Sequence, residues 1–384
     1  MKKVGILVNS IGYGGNERSA VNIANAIRKK YDVRIIIQEE HGNNYGYTGK
    51  VINLNTPCAR STIGKAFNSV RRIVRLKRVI SKEEFDTLFI ILPVSNPINY
   101  ISFKCRKIVS CRDCGDLIRR TDKYIKMTDR SDLIVCNSEY QADYLKKQAP
   151  QLEHRIRVIY NIIDIDGITM LKQSPVEEYV DRFMCGNRCV ISAGRFVDPK
   201  GLNNLLKSYS LVARTREDIK LIMIGDGELR CNVENLIEEL HIKDKVLLLG
   251  FKDNPFKYIA KSDVFVLTSF YEGFPNTLVE AMACMTPVIA TDCPSGPREI
   301  LCGEVDKSDK LYEVTRCGIL CKCFDKQKST WEASDIHSEH SAFAEAILRV
   351  LDNPDLSNEM VENASQRVKE FSASKITLKW DELL

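Results

Sequence analysis

Glu272 and Glu280 stand eight residues apart in the stretch FYEGFPNTLVEAM, and Arg195 and Lys200 stand five apart in GRFVDPKG. A carboxylate is a strong acceptor for hydroxyl donors, and two neighbouring hydroxyls can engage both of its oxygens. Sugar and ribose hydroxyls are the natural partners of such a pair. Two cations beside the start of a helix can neutralise a departing diphosphate, because negative charge develops there as its bond breaks. Taken singly, each has a plainer reading: Glu272 as a helix cap, Glu280 as a solvated face residue, Arg195 and Lys200 as surface cations.

The elements that must position these residues follow from local pattern. Residues 262–268 (SDVFVLT) form a β-branched and aromatic run of strand length, broken by the glycine and proline of 271–275. Leu278, Met282 and Met285, with Val279 and Ala283 beside them, then have helical spacing over 276–285, and Pro275 suits the first turn. A helix that opens beyond the carboxyl end of a parallel strand turns its free N–H groups toward the crevice where doubly wound sheets bind nucleotides. Arg195 follows a strand at 189–192 and Lys200 lies at the edge of the next helix. Arg195, Lys200, Glu272, Asn276 and Glu280 are thus all expected at or just beyond strand ends, as one shared crevice requires. Gly225-Asp226-Gly227 follows another strand as a structural turn, and Phe251, after Leu249-Gly250, is expected to line a nucleobase pocket.

EGFPNTLVEA followed by PVIATDCPSGPREIL resembles the retaining glycosyltransferases of family 4, whose fold is GT-B. The TDCPSGPRE form (291–299) is most similar to members that build bacterial surface polysaccharides. The likeness spans nearly the whole chain and is weakest over 40–130. It implies that Glu272 meets the donor sugar and Glu280 the ribose, and that the GR-x4-KG pair Arg195 and Lys200 holds the diphosphate. It also places Gly273, Phe274, Pro275, Asn276, Thr277 and Leu278 in the donor site, with N–H groups of the helix start assisting. Gly14 and Gly15, in the loop Gly12 to Glu17, are carried over as facing the diphosphate. As a dinucleotide fingerprint that loop fails, since Glu17 stands where a third glycine belongs; the glycines serve either close backbone approach to an anion or a tight turn.

Length suits two domains. Short apolar runs at 4–9, 33–38, 51–54, 87–92, 107–110, 133–136 and 156–159, and again at 189–192, 220–224, 246–249, 264–267 and 288–290, alternate with helical stretches. That is the sign of parallel sheets wrapped by helices. The expected organisation is α/β: a Rossmann-like acceptor-side domain at 1–165, a linker at 166–186 and a Rossmann-like donor domain at 187–371. By the resemblance the two face each other across a cleft, and a final helix (372–384) crosses back to the first domain with Trp380 as anchor. The alternative is a C-terminal helix packed on its own domain.

No run of about 18 apolar residues occurs, so no membrane span is expected. The five-residue apolar run at the N-terminus reads as a first strand and not a secretion signal. Fourteen cysteines without such a signal point to reduced thiols in a cytoplasmic protein. Cys111 and Cys114, and the cluster Cys317, Cys321 and Cys323, lack a matching second pair for zinc and read as small buried hydrophobes. The triad Asp164-Ile165-Asp166 follows what resembles the family's entry into the linker, so no catalytic metal is expected; the UDP-sugar is a co-substrate and no cofactor is needed.

Residues 1–160 carry a net charge of +14 and the remainder −9. The first half therefore suits an anionic partner. In it, Ser110-Cys111-Arg112-Asp113 occupies the place of an acidic or His-containing motif in relatives; no histidine is present here, and Asp113 or Arg112 is the candidate acceptor contact. Over 60–82, Ile63, Phe67, Val70, Val74 and Ile80 are expected on one helical face and Arg71, Arg75, Arg78 and Lys82 in a basic stripe. Either this is an ordinary helix with its apolar face on its own sheet, or the basic face rests on anionic lipid at the inner face of the membrane.

The reading is a retaining hexosyltransferase that moves a hexose or N-acetylhexosamine from a UDP-sugar to a sugar acceptor, lipid-linked, in surface polysaccharide synthesis, with no role for nucleic acid. Its rivals are an epimerase or phosphorylase of the same fold, and an inactive nucleotide-sugar-binding subunit.

Overall fold

The computed structural model describes residues 1–12, 14–40, 47–56, 62–302 and 311–384, with the side chains of 62–66 set aside. The chain divides into two units, Met1–Ile163 with Phe371–Leu384, and Asp164–Glu370.

The first unit runs β1 (Lys3–Val8), α1 (Gly15–Ile27), β2 (Asp32–Ile37), β3 (Lys50–Asn53), α2 (Thr62–Glu83), β4 (Thr87–Ile91), β5 (Arg106–Cys111), α3 (Cys114–Arg119), α4 (Thr121–Asp129), β6 (Leu133–Cys136), α5 (Glu139–Gln148) and β7 (Ile156–Val158). Its strands are all parallel in the order β3-β2-β1-β4-β5-β6-β7. Strand residues alternate between two cores, as a period of two demands: Ile6 and Val8 pack on the α1 side, Leu7 on the α2 side. The strand order reverses between β1 and β4, so the chain leaves β1 at the switch point, ahead of α1.

The second unit runs α6 (Ile165–Leu171), α7 (Glu178–Met184), β8 (Arg188–Ala193), α8 (Leu202–Thr215), β9 (Ile219–Ile224), α9 (Arg230–Glu239), β10 (Val246–Gly250), α10 (Phe256–Ile259), β11 (Val264–Leu267), α11 (Asn276–Ala283), β12 (Val288–Thr291), α12 (Pro297–Leu301), β13 (Tyr312–Val314), β14 (Ile319–Cys321), α13 (Ser338–Asp352) and α14 (Pro354–Val368). The order is β10-β9-β8-β11-β12-β14-β13, with β13 antiparallel to β14. Here the switch point lies between β8 and β11. The two three-residue strands β13 and β14 are additions to the sequence reading, too short to show a period of their own.

After α14 the chain re-enters the first unit as α15 (Ala373–Asp381). The Ile163 N–H donates to the Phe371 carbonyl at 2.9 Å, and the Ser372 hydroxyl caps the helix. Trp380 is 1% exposed and meets Phe89 of β4 edge-on at 4.8 Å between ring centres.

Three expectations require correction. Residues 166–186 are not a free linker: they form α6 and α7, fastened to the second unit by Asn254 to the Leu171 carbonyl (2.9 Å), Lys172 to the Ala283 carbonyl (3.3 Å) and the Tyr258 hydroxyl to Glu177 (2.7 and 2.8 Å). Met285 is half exposed in a left-handed conformation beyond α11, not on its apolar face. In α2 the buried residues are Leu76 and Ile80, whereas Phe67, Val70 and Val74 are exposed and Arg75 turns inward. Of that helix's expected residues, Arg60 lies outside the described residues, as does the Ile63 side chain.

Candidate active site

The two loops that flank the β8–β11 switch point carry the predicted residues. After β8 the chain passes Gly194 and Arg195 into a short 3-10 turn, Asp198–Lys200, and Gly201 then adopts φ 58° to start α8. A side chain at Gly201 would put its Cβ 2.3 Å from the Thr268 carbonyl oxygen, so glycine there lets the two loops close on each other. Phe270 N–H donates to the Pro199 carbonyl (2.9 Å), and the Thr268 hydroxyl to the Lys200 carbonyl (3.1 Å). The loop after β8 is also held from its other side. Gly225 packs so tightly that a Cβ would lie 1.8 Å from the Gly194 oxygen, and Phe196 N–H donates to the Asp226 carbonyl at 2.9 Å.

These contacts bring Lys200 and Glu272 together. The ammonium lies 2.7 Å from Glu272 Oε1, and the Ser269 hydroxyl donates to the same oxygen at 2.6 Å. Their side chains are 20% and 13% exposed, so the pair is largely shielded from water. The Ser269 carbonyl in turn accepts from the Thr291 hydroxyl at 2.6 Å, and the Gly273 carbonyl from the Ser295 hydroxyl at 2.6 Å. Every backbone group around Glu272 that these bonds engage is thus tied to β12 or the turn beyond it. Buried Cys293 stands close enough to Glu272 that the carboxylate adds to the upward push on its thiol pKa, which burial chiefly causes.

Arg195, in the loop after β8, is exposed and forms no ion pair among the described residues. Pro275 precedes α11, whose first turn is Asn276, Thr277 and Leu278. The Thr277 hydroxyl oxygen is buried without a hydrogen-bond partner among the described residues, which is costly unless something else supplies one. Glu280 is 5% exposed on the next turn, so it is not the solvated face residue of the plainer reading. Gly273 and Phe274 complete the turn, and Phe274 is buried. Phe251, just past β10, is 58% exposed. A small cavity lined by Gly194, Lys200, Leu267 and Thr268 among others opens at the switch point. Sequence reasoning missed Ser269 and Thr291, which brace Glu272; single hydroxyls at a strand end carry no spacing signal.

The first-unit candidates lie apart from this set in sequence and role. Gly14 is the residue before α1 and Gly15 its first, so the helix begins inside the stretch expected to be a loop. Asp113 caps α3 by accepting from Asp116 N–H at 2.7 Å. Arg112 donates to the Ser19 hydroxyl (2.6 Å) and to Asn161 (2.8 Å), and burial lowers its pKa to about 10. Both therefore have structural duties. Asp164 of the Asp-x-Asp triad caps α6 through Gly167 N–H at 3.0 Å. Among the described residues no group of three His, Cys, Asp or Glu side chains is arranged around a shared point.

Comparison with known proteins shows the family and the fold. Residues 13–166 match the model of Glycosyltransferase Family 4, and residues 185–367 that of Glycosyl transferases group 1. An uncharacterized glycosyltransferase of Methanocaldococcus jannaschii is 32% identical over 66% of this chain and 63% of its own length. An N-acetylgalactosaminyltransferase of Campylobacter jejuni, whose name gives a diphospho-undecaprenol-linked sugar as acceptor, is 28% identical over 82% of this chain and 89% of that one. In structure the chain is similar to Anabaena HepE, solved with UDP (TM-score 0.74, 18% identical, covering 100% of this chain and 99% of that one). It is also similar to TarM of S. aureus (TM-score 0.76, 15% identical, covering 100% and 98%). At these identities the structural likeness is one of fold.

Proposed function

Because the chain belongs to the group 1 and family 4 glycosyltransferases and has the GT-B fold, we propose that it moves a hexose or N-acetylhexosamine from a UDP-sugar, with retention, to a lipid-linked sugar in surface polysaccharide synthesis. The observation that carries this is the Lys200–Glu272 pair, shielded, braced by Ser269 and set at the switch point beside the first turn of α11. Lys200 and Arg195 hold the diphosphate. Glu272, bound to Lys200 and Ser269 through one oxygen, directs its other oxygen's acceptor capacity to the sugar hydroxyls. Glu280 takes the ribose hydroxyls and Thr277 lends its unpartnered hydroxyl to a phosphate or ribose oxygen.

In the transfer the bond from the anomeric carbon to the β-phosphate oxygen breaks and the electron pair leaves with UDP. The acceptor hydroxyl attacks from the same face, and its proton passes to the departing phosphate. The cations stabilise charge as it develops, so no protein nucleophile and no metal is required. Support for the lipid-linked acceptor comes from the name of the Campylobacter relative and from the basic first half of the chain. Such an acceptor brings the protein to a membrane surface on the cytoplasmic side. Among the described residues no helix is long and apolar enough to cross a membrane.

The test is saturation-transfer NMR against a panel of UDP- and GDP-sugars, followed by turnover with and without lipid-linked acceptor. Contact confined to UDP-sugars, lost in Glu272→Ala, and acceptor-dependent release of UDP that survives EDTA are the expected results. Sugar conversion without acceptor would establish the epimerase instead, and binding without turnover the inactive subunit. Loss of activity in EDTA restored by Mn²⁺ would overturn the metal-free step.

A further inference from the structure

Between β14 and α13 the chain runs alongside the two loops that carry Lys200 and Glu272, and it presents one cation to both. Lys326 pairs with Asp198, the first residue of the 3-10 turn that ends in Lys200, and donates to the Tyr271 hydroxyl at 2.6 Å. Asp198 lies two residues before Lys200, and Tyr271 is the residue before Glu272. The same ammonium stands 5.8 Å from the ring centre of buried Phe270, whose N–H donates to the Pro199 carbonyl at 2.9 Å. Taken alone, Lys326 and Asp198 are a surface bridge, 41% and 60% exposed and worth little stability. Its two anchors, however, are the chain neighbours of the shielded Lys200–Glu272 pair.

The turn that carries Lys326 is fastened on both sides. Before it, Phe324 is buried against His340 and Phe343, with ring centres 5.0 and 6.0 Å away. The Cys323 thiol lies 3.7 Å from the carbonyls of both Ser269 and Phe270. After it, the Ser329 hydroxyl reaches Asn204 at 3.2 Å and the Asp325 carbonyl at 2.9 Å, and the Thr330 carbonyl accepts from Asn203 and Lys207. Within it, the Gln327 N–H donates to the Asp325 carboxylate at 2.9 Å. The backbone beneath Lys326 is thus fixed before the cation makes its bonds, which lowers the entropy cost of making them.

We propose that Lys326 is a positioning residue of the donor site: it clamps the Asp198–Lys200 turn to the Tyr271–Glu272 loop and neutralises a carboxylate that would otherwise repel a bound diphosphate. Two of its three donors are committed to Asp198 and Tyr271, so it acts through these neighbours and not as a further phosphate ligand. Asp198 has the wrong sign for its place, two residues from the cation that holds the diphosphate. Paired with Lys326 it adds no net charge; without Lys326 it competes for Lys200 and opposes the incoming anion. The charge balance rests on the donor-site reading given above, whereas the clamp itself needs no ligand.

Hydrogen exchange read by mass spectrometry and UDP calorimetry, both on the full chain, test it with Lys326→Met, Lys326→Arg and the double variant Lys326→Met with Asp198→Asn. In the free protein, Lys326→Met should speed exchange about three- to fivefold in peptides spanning 197–201 and 268–273, the range an exposed ion pair is worth. Exchange in β8, β9 and β11 should stay as in wild type, and Tm should fall by no more than about 2–4 °C. UDP affinity should fall about three- to fivefold, most at low salt. Lys326→Arg should keep both properties, and the double variant should recover the affinity but not the protection. Exchange in those peptides that is unchanged in Lys326→Met would overturn the proposal whether or not UDP binds. An arginine variant that behaves like the methionine one, or UDP affinity that survives Lys326→Met, would overturn it as well. A double variant that binds UDP no more tightly than Lys326→Met would remove the charge balance. Wild type that binds no UDP, with exchange still faster in Lys326→Met, would remove the donor-site reading and leave the clamp standing.

Discussion

Lys200 and Glu272 have different expected tasks, diphosphate and sugar, and the structure makes them one unit through the 2.7 Å bond. Removing Lys200 leaves a mostly shielded carboxylate with Ser269 as its one remaining side-chain partner among the described residues, which costs more than the net worth of the pair. In a double-mutant cycle, Lys200→Ala should destabilise the protein more than Lys200→Ala with Glu272→Ala, giving a coupling of about 0.5–3 kcal/mol in urea unfolding. The lower half of that range is expected because the lysine is one-fifth exposed and partly screened. UDP affinity, read by calorimetry, should fall in both variants that lack Lys200, by about 1.5–3 kcal/mol if a charge-assisted bond is lost. Strictly additive costs would show that the two residues act separately.

At the scale of elements, the segment between β14 and α13 is folded over the start of α8, the helix that begins just past Lys200. Asn203 and buried Lys207 both donate to the Thr330 carbonyl, at 2.7 and 2.9 Å. His340 joins the two elements. Its Nδ1 accepts the His337 N–H at 2.9 Å and its Nε2 lies 3.1 Å from Asn204 Oδ1, an arrangement that requires the neutral ring with the proton on Nε2. Burial, with Lys207 and His337 nearby, lowers its pKa from 6.5 to about 4 against the opposing pull of Asp335 and Glu339. Between those values the unfolded chain binds the extra proton. Stability from this group is complete above pH 6.5 and is lost as pH falls toward about 4, with a slope of up to about 1.4 kcal/mol per pH unit. Urea midpoints measured across that window should fall more steeply for wild type than for His340→Gln; equal slopes would exclude His340 as the source.

At the scale of the whole molecule, the return of α15 completes the first unit. Trp380, Leu383 and Leu384 join the core formed by β1, α1 and β4, and Lys2 and Arg106 reach the last two carbonyls. Trp380→Ala should cost about 3–5 kcal/mol, and hydrogen exchange should localise the lost protection to β1, α1 and β4. Protection lost in the second unit instead would contradict the assignment of α15. The crossing was expected from the family resemblance, with packing on its own domain as the alternative; contacts within the first unit decide between the two.

What the sequence determined by itself was whatever depends on local pattern. Twelve of the fourteen strands among the described residues are apolar runs between helical stretches, and Arg195, Lys200, Glu272 and Glu280 fall at or beyond strand ends because a parallel sheet places every loop of that hand at one edge. What only the tertiary structure decided was which neighbour each residue meets. Periodicity shows that α2 has apolar and basic faces but not which one is buried; Leu76, Ile80 and the arginine bonds to the Thr56 segment settle that. The two acidic residues Asp113 and Asp164 have the chemistry of site residues, and their capping bonds became visible only once the following N–H groups were placed. The residues of α6 and α7 looked like a linker because their weak periodicity hides contacts made with α10 and α11, far along the chain. Side-chain chemistry is written locally, whereas burial and pairing are long-range properties that exist only in the folded chain.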